Sequence, residues 1–317
     1  MAPRLIPLAC KPQAKHSGRA QDTQKGTRLP RPTVLVVGSL HHDIMVETAH
    51  LPRKDETAVG TRWYPKFGGK GGNQALAVAR AGVACRMFGA VGADAFGGFL
   101  RTALRAGGVD DTHVATLPNL GSGISVAIQD AKGDYAAVIV SGANLQIDAG
   151  RIADPQLWQD VRLLILQNEV PEAVNRAAAH EARSRGVRTL LNAAPARALS
   201  ADLVPLVDVL VVNAVEAEAM GAAPVTTLPD AAMAARRLSK RFETVIVTAG
   251  SKGLAWVSGG DAQLLPAEKV VAVSSHGAGD AFIGTLGAAL ARGATLREAC
   301  QQASHAAALH VSKGSPP

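Results

Sequence analysis

Thr33–Val37 (TVLVV) is a run of apolar, mostly β-branched residues ending at Gly38, the pattern of a buried parallel strand entering a tight turn. From Asp43 to Pro65 the pattern changes to alternation (Ile44, Val46; Val59, Thr61, Trp63), broken by Pro52 and Gly60, which predicts exposed antiparallel strands. A regular rhythm follows, with a helix from about Gly72 to Ala81, a strand Cys85–Val91 and a helix Ala95–Ala106. Gly123–Asp130 and Tyr135–Ser141, around the turn Lys132-Gly133-Asp134, predict a hairpin that can pair with the earlier excursion as a small separate sheet. Beyond it the alternation is clean: strand Val161–Gln167, helix Pro171–Arg185, strands Arg188–Asn192 and Val207–Asn213, helix Ala231–Lys240, strand Thr244–Thr248, and helices Ala278–Ala291 and Leu296–Val311.

Apolar strands alternating with helices of this length predict an α/β fold, a mostly parallel central sheet with helices on both faces. Ligands of such sheets lie beyond the carboxyl ends of the strands, so functional residues are expected just after strands.

Composition narrows the class. A chain of 317 residues, 47% hydrophobic and 19% charged, is not collagen, a coiled coil or wholesale disorder. The net charge of +7 is concentrated at one end: residues 1–32 hold seven basic residues against Asp22 alone, and the body is left close to neutral at +1. With five prolines and no useful apolar run, 1–32 reads as a basic, disordered extension rather than a secretory signal, with an organelle-targeting peptide as the alternative. A near-neutral body with 3% aromatic residues and no basic stripe argues against nucleic acid as a partner. No window reaches the length of a membrane span. Cys10, Cys85 and Cys300 are too few and scattered for a disulfide framework, which points to a reducing, cytoplasmic setting.

The strongest chemical signal is Gly277-Ala278-Gly279-Asp280, immediately before a strongly apolar helix and after an extended stretch, Val270–Val273. Glycines at a helix N-terminus expose backbone N–H groups to an anion, and the helix dipole adds partial positive charge. A carboxylate there repels an anion unless it takes the proton of the nucleophile that attacks phosphorus, which points to a kinase. The alternative is an ordinary helix start with Gly277 supplying the turn. Phe67-Gly68-Gly69-Lys70-Gly71-Gly72-Asn73-Gln74 is neither a Walker A loop nor a dinucleotide fingerprint, and reads as close backbone approach to a polar ligand or as a flexible hinge. Thr248, Gly250 and Gly253 follow a strand and form a backbone surface on which a nucleotide can lie. Asn213 and Glu216 follow another strand, as a helix cap or as ligands of hydrated magnesium. Glu169 and Asp43 also follow strand ends, whereas Ala303–Ala308 reads as core. His41-His42-Asp43 lacks further ligands at zinc spacing.

Gly38-Ser39…Asp43, the Gly68–Gln74 loop, Asn192–Arg197, Asn213-x-x-Glu216, Thr248-x-Gly250-x-x-Gly253 and Gly277–Asp280 resemble, in order, the ribokinase (PfkB-type carbohydrate kinase) family, over nearly all of Thr33 to Gly314. The resemblance implies an ATP-dependent sugar kinase at 33–317, with a small β lid (about 44–66 and 123–141) closing over ribose or a similar sugar. It implies Asp280 as general base and Gly277, Ala278 and Gly279 as an anion hole. Asp43, Gly69, Lys70, Asn73 and Glu169 match sugar-binding positions, and His41 stands where the family usually places Asn. Asn213 and Glu216 match the phosphate and Mg2+ region, with Glu216 reaching the metal through water, and Thr248, Gly250 and Gly253 match nucleotide contacts. Ser274 replaces a carboxylate that helps hold a monovalent cation, which argues against potassium activation. The chain also stops at Pro317, shorter than such relatives often are, so less cover is expected beside the nucleotide. His41 leaves a nucleoside or keto-sugar-acid kinase as alternatives, and Ser274 with the short C-terminus leaves a catalytically impaired sensor. The bare strands of the lid are expected to pair in a homodimer.

Overall fold

A computed structural model describes residues 32–313. β1 (Thr33–Val37) starts the body, and the chain leaves it through β2 (His41–Thr48) and β3 (Gly60–Gly68). It returns by α1 (Lys70–Arg80), β4 (Ala84–Gly92), α2 (Ala95–Ala106) and the short strands β5 (Val109–Asp110) and β6 (Val114–Leu117). A second excursion, β7 (Gly123–Asp130) and β8 (Tyr135–Val140), precedes β9 (Val161–Gln167), α3 (Glu172–Ser184), β10 (Arg188–Asn192), β11 (Val209–Asn213) and α4 (Ala214–Ala219). The chain ends in α5 (Leu228–Leu238), β12 (Thr244–Thr248), β13 (Gly253–Ser258), β14 (Gln263–Pro266), α6 (Ala278–Ala291) and α7 (Leu296–Lys313).

The central sheet has the order β14-β13-β12-β11-β10-β9-β1-β4-β5, with β6 also on β4. It is parallel from β12 to β5, and β13 and β14 add an antiparallel edge. Because strand side chains alternate between faces, each apolar run feeds both layers of core. Val34, Val36, Leu163, Ile165 and Val211 pack in one layer with Val78 of α1 and Phe282 and Leu286 of α6. Leu35, Val37, Leu164, Leu166 and Val212 pack in the other with Val174 and Ala178 of α3 and Ala234 of α5. At roughly 1.5–3 kcal/mol per fully buried large aliphatic side chain, this double burial dominates the stability of the body.

The second sheet is separate, with the order β3-β2-β7-β8. Each excursion pairs antiparallel, β2 with β3 and β7 with β8, and the two join through parallel β2 and β7. The expected lid is therefore present but mixed, and its first strand begins at His41.

Other departures have local causes. α1 starts at Lys70 rather than Gly72, because Gly71 and Gly72 form its first turn where it packs on the chain after β1. α5 starts at Leu228, where a capping box between Thr227 and Asp230 and an early proline set its N-terminus. The apolar run at Val207 enters its strand only at Val209. Val270–Val273 forms no strand, and Val271 is 85% exposed. Except for Pro32, the expected extension at 1–32 lies outside the described residues, as does Cys10. Among the described residues no helix is long and apolar enough to cross a membrane.

Candidate active site

Strands β12, β11, β10, β9 and β1 are consecutive neighbours in the sheet, so their carboxyl ends form one rim. Ser39, Glu169, Asn192, Asn213 and Thr248 come together there from distant parts of the chain. The start of α6 faces this rim. Gly277 caps that helix with φ 81°, a left-handed conformation that favours glycine, and Gly279 has open space on its outer side. The Ala278 N–H donates to the Ser275 carbonyl at 3.2 Å, which leaves the N–H groups of Gly279 and Asp280 to face an incoming anion.

Asp280 lies one turn into α6 and is buried. One carboxylate oxygen accepts from Gln74 Nε2 at 2.9 Å and the other from Asn73 Nδ2 at 3.2 Å. Gln74 Nε2 also donates to Asn192 Oδ1 at 3.1 Å, fixing the amide against β10. Burial pushes the Asp280 carboxyl up to about 6, opposed by the Lys70 charge and by the two amide donors. Neutral donors orient the group without making it a weak base, the condition a general base needs near neutral pH.

The glycine-rich loop is tightly packed. Gly69 has φ 86°, and a Cβ there would lie 2.8 Å from both the His41 nitrogen and the Ser39 carbonyl oxygen. Glu169 fastens this junction, its Oε2 accepting from Ser39 Oγ at 2.5 Å and from the Lys70 N–H at 2.8 Å. Arg197 in turn holds the chain around Glu169, Nη1 donating to the Val170 carbonyl at 2.8 Å and to the Asn168 carbonyl at 3.4 Å. A flexible hinge is therefore not what these glycines make.

On the lid, Asp43 Oδ1 accepts from Ser125 Oγ at 2.5 Å, and burial raises its carboxyl above the usual range. Lys66 stands opposite Asp43 across the β2–β3 pair. His41, two residues before Asp43 on the same face, is buried with no partner for Nε2. His42 points the other way and stacks on Phe96 at 4.3 Å.

Asn213 and Glu216 form a full capping box on α4. Glu216 Oε2 accepts from the Asn213 N–H at 2.8 Å and Oε1 from its Nδ2 at 3.0 Å, while Asn213 Oδ1 accepts from the Glu216 N–H. The pair also lines the main cleft, so the residues that cap α4 also form part of its wall. Burial raises the Glu216 carboxyl.

Two clefts meet at Gly277 and Asp280. The larger, of about 720 Å3, runs over Lys70, Asn213, Glu216, Thr248, Gly250 and Gly253 to an apolar wall that includes Ala307, Ala308 and Val311 of α7. Gly250 (φ 53°) and Gly253 (φ 115°) shape its turn, and a Cβ on Gly253 would come within 2.1 Å of the Leu265 carbonyl oxygen. The smaller, of about 470 Å3, runs past Asn73 between β3 and α1.

The model of the pfkB family of carbohydrate kinases matches residues 31–316. The chain belongs to that family. It is an ATP-dependent carbohydrate kinase, a transferase. Among relatives of this kinase is the ribokinase of Haemophilus influenzae, 33% identical over 287 residues, which cover 89% of this chain and 93% of that one. The deoxyribokinase of Salmonella typhi is 33% identical over 79% of this chain and 83% of its own. The structure of Arabidopsis thaliana ribokinase complexed with ribose and ATP superposes with a TM-score of 0.83 at 27% identity, covering 90% of this chain and 95% of that one.

Asp280, Gly277, Gly279, Lys70, Asn73 and the Asn213–Glu216 pair thus line the two clefts, as the candidate site of this kinase. Sequence reading overlooked Gln74 as a partner of Asp280, Asn192 as the residue that fixes Gln74, and Ser39 and Ser125 as anchors of Glu169 and Asp43. It also took Ala303–Ala308 as core. Ala303 is core, but Ser304, Ala307 and Ala308 turn to the main cleft. The small residues at 304, 307, 308 and 311 follow helical spacing and were the available signal.

Proposed function

We propose that this kinase transfers the γ-phosphoryl group of ATP to a hydroxyl of ribose or a similar small sugar, with Asp280 as general base. The observation that carries the reading is Asp280 itself, a buried carboxylate held by two neutral amides where a nucleotide-sized cleft meets a second, smaller one. The ribokinase and deoxyribokinase relatives support the acceptor class.

In this reading Asp280 takes the acceptor proton as the hydroxyl oxygen bonds to the γ-phosphorus and the bond to the departing ADP oxygen breaks. The N–H groups of Gly279 and Asp280, the α6 dipole and Lys70 meet the charge on the transferring group. Asp43, Gly69, Lys70, Asn73 and Glu169 bind the acceptor. Glu169 also holds the β1–α1 junction, and His41 shapes the lid base beside Asp43. Thr248, Gly250 and Gly253 seat the nucleotide. Among the described residues no three His, Cys, Asp or Glu side chains converge as a self-sufficient metal site. That suits Mg2+, which keeps waters and phosphate oxygens as ligands, with Glu216 and Asn213 behind them. Bound there, the ion would neutralise phosphate charge.

A panel of acceptors read by ADP release tests the reading. Ribose or deoxyribose should give the highest kcat/KM, a preference for a nucleoside would move the substrate class, and ATP binding without ADP release would identify a sensor. The acid limb is a second check. Only ionised Asp280 can accept a proton, so kcat/KM should fall tenfold per pH unit below about 6 and level off above it. Rates unchanged from pH 7 to 5 would remove Asp280 from that role.

We further propose a homodimer through the lid. β3 and β8 are its edges, and Tyr135, Val138, Ile139 and Val140 of β8 and Trp63 of β3 are exposed. Light scattering should give twice the monomer mass, and a monomer would refute the pairing. The two described cysteines are buried and unpaired, which supports a cytoplasmic location.

A further inference from the structure

The turn that leads into α6 is held from outside, by the end of α7. Residues 267–277 form neither strand nor helix, so no sheet ladder fixes them. The Val311 carbonyl accepts instead from the Val273 N–H at 2.9 Å and from the Ser274 N–H at 3.3 Å. One residue earlier on α7, His310 Nε2 lies 2.8 Å from the His276 carbonyl oxygen. A carbonyl only accepts, so Nε2 carries the proton here and the ring donates while neutral. The same ring lies against the next residue, since a Cβ on Gly277 would come 3.1 Å from Nε2. The His276 carbonyl belongs to the planar peptide unit that enters the turn, so this bond fixes the plane from which Gly277 takes its φ of 81°. The orientation of that plane sets where the Gly279 and Asp280 N–H groups point.

The family resemblance implies a monovalent cation beside this loop, held in part by a carboxylate where Ser274 stands. The residues present do not fit such an ion. Ser274 brings no charge, and its Oγ is turned into the loop, accepting from the His276 N–H at 3.3 Å. The His276 and Val311 carbonyls already accept N–H groups from α7 and from the loop, and the Ser275 carbonyl accepts from the Ala278 N–H at 3.2 Å. An ion at the His276 carbonyl would meet the imidazole N–H of His310. The surrounding charge opposes it as well: burial lowers the His276 imidazole, and the Lys66 and Lys70 charges lower it further against Asp43.

We propose that His310 is a positioning residue for the Gly277–Asp280 turn, a donor built into the fold that stands in for the cation. A cation beside a peptide carbonyl and an N–H aimed at it serve the same geometric end, since each holds the oxygen in a fixed place. The imidazole is part of the chain, so the turn is set before any ligand arrives, which is the condition for donors that meet charge in the transition state. The catalytic consequence rests on the sugar-kinase reading above, in which this turn meets the transferring phosphoryl group.

The test uses the full chain and the variants His310→Ala and His310→Gln, with thermal unfolding confirming that each is folded, in potassium chloride and in tetramethylammonium chloride at equal ionic strength. Wild-type kcat should be the same in both salts. His310→Ala should lower kcat by roughly two- to tenfold, the net worth of one hydrogen bond, and leave the acceptor KM little changed. His310→Gln, whose amide keeps an N–H donor, should recover part of that loss, and so should imidazole added to His310→Ala. Potassium activation of the wild type, an unchanged kcat in His310→Ala, or a loss that neither Gln nor imidazole restores would overturn the assignment, the last by marking the ring as packing alone. Proton–nitrogen NMR of the wild-type rings supplies a readout without turnover. It should show His310 with the proton on Nε2 and no change on adding potassium, and a proton on Nδ1 alone would overturn the donor. Failure of the kinase reading would show separately, as no ADP release with any acceptor while the Nε2 proton is still seen.

Discussion

Replacing Asp280 by Asn should lower turnover by roughly a hundred- to ten-thousand-fold, the typical worth of a positioned general base, and leave nucleotide and acceptor binding little changed. The variant is close to isosteric. Its side-chain oxygen can still accept from Gln74 Nε2, and a rotation of the Asn73 amide satisfies the new nitrogen, so the loss falls on proton transfer rather than on folding. Asp280→Ala should lose a similar factor in turnover and also some stability, since it leaves Gln74 and Asn73 with buried, unmatched donors. Steady-state kinetics with calorimetric ATP binding separates the effects. An Asp280→Asn enzyme with near wild-type kcat would mean that the proton leaves by another route.

Gly71→Ala is the second large expectation, and it is informative through its sign. Gly71 lies in the first turn of α1, where alanine is ordinarily favoured over glycine by about 1 kcal/mol. A Cβ at this position would lie 2.6 Å from the Ser39 nitrogen and 2.7 and 2.8 Å from the carbonyl carbon and Cα of Gly38. All three are backbone atoms, so α1 or the turn after β1 must move. Overpacking of this kind costs typically 1–3 kcal/mol, enough to reverse the helical gain. The same movement pulls the Lys70 N–H away from Glu169, so the acceptor KM should rise as stability falls. Urea unfolding measures the first and kinetics the second. A more stable Gly71→Ala protein with unchanged KM would restore the reading of this loop as a loose hinge.

The legibility of the fold follows from burial. TVLVV and VRLLILQ are strands sealed on both faces, so composition alone marks them, and Val161–Gln167, Arg188–Asn192 and Thr244–Thr248 have the predicted ends. β13 and β14 were not legible because they sit at an edge, directly after a glycine turn, where pairing with β12 rather than sequence pattern makes the strand. Val270–Val273 shows the converse. Its β-branched residues have strand propensity, yet no neighbour is there to pair with them.

The site divides in the same way. Gly277–Asp280 and the Gly68–Gln74 loop announce themselves because their chemistry is local, a helix N-terminus and a close backbone approach. Gln74, Asn192 and Ser39 do not, because each acts on a residue brought near only by the sheet order, as Gln74 acts on Asp280 across 206 positions. Asn213 and Glu216 carried two readings in sequence, cap and phosphate region, and the structure joins them in one capping box on the cleft wall. His41 could be marked as a departure from the family pattern, but its enclosure could not be read before the lid was built around it.

The central claim is phosphoryl transfer from ATP to a sugar hydroxyl, and the identity of the phosphorus product tests it most directly. Phosphorus NMR of the full chain with ATP, Mg2+ and ribose should show the γ-phosphorus of ATP reappearing as a sugar phosphomonoester, in equal amount to ADP. ATP left intact with every sugar offered, or ADP appearing with inorganic phosphate alone, would contradict it.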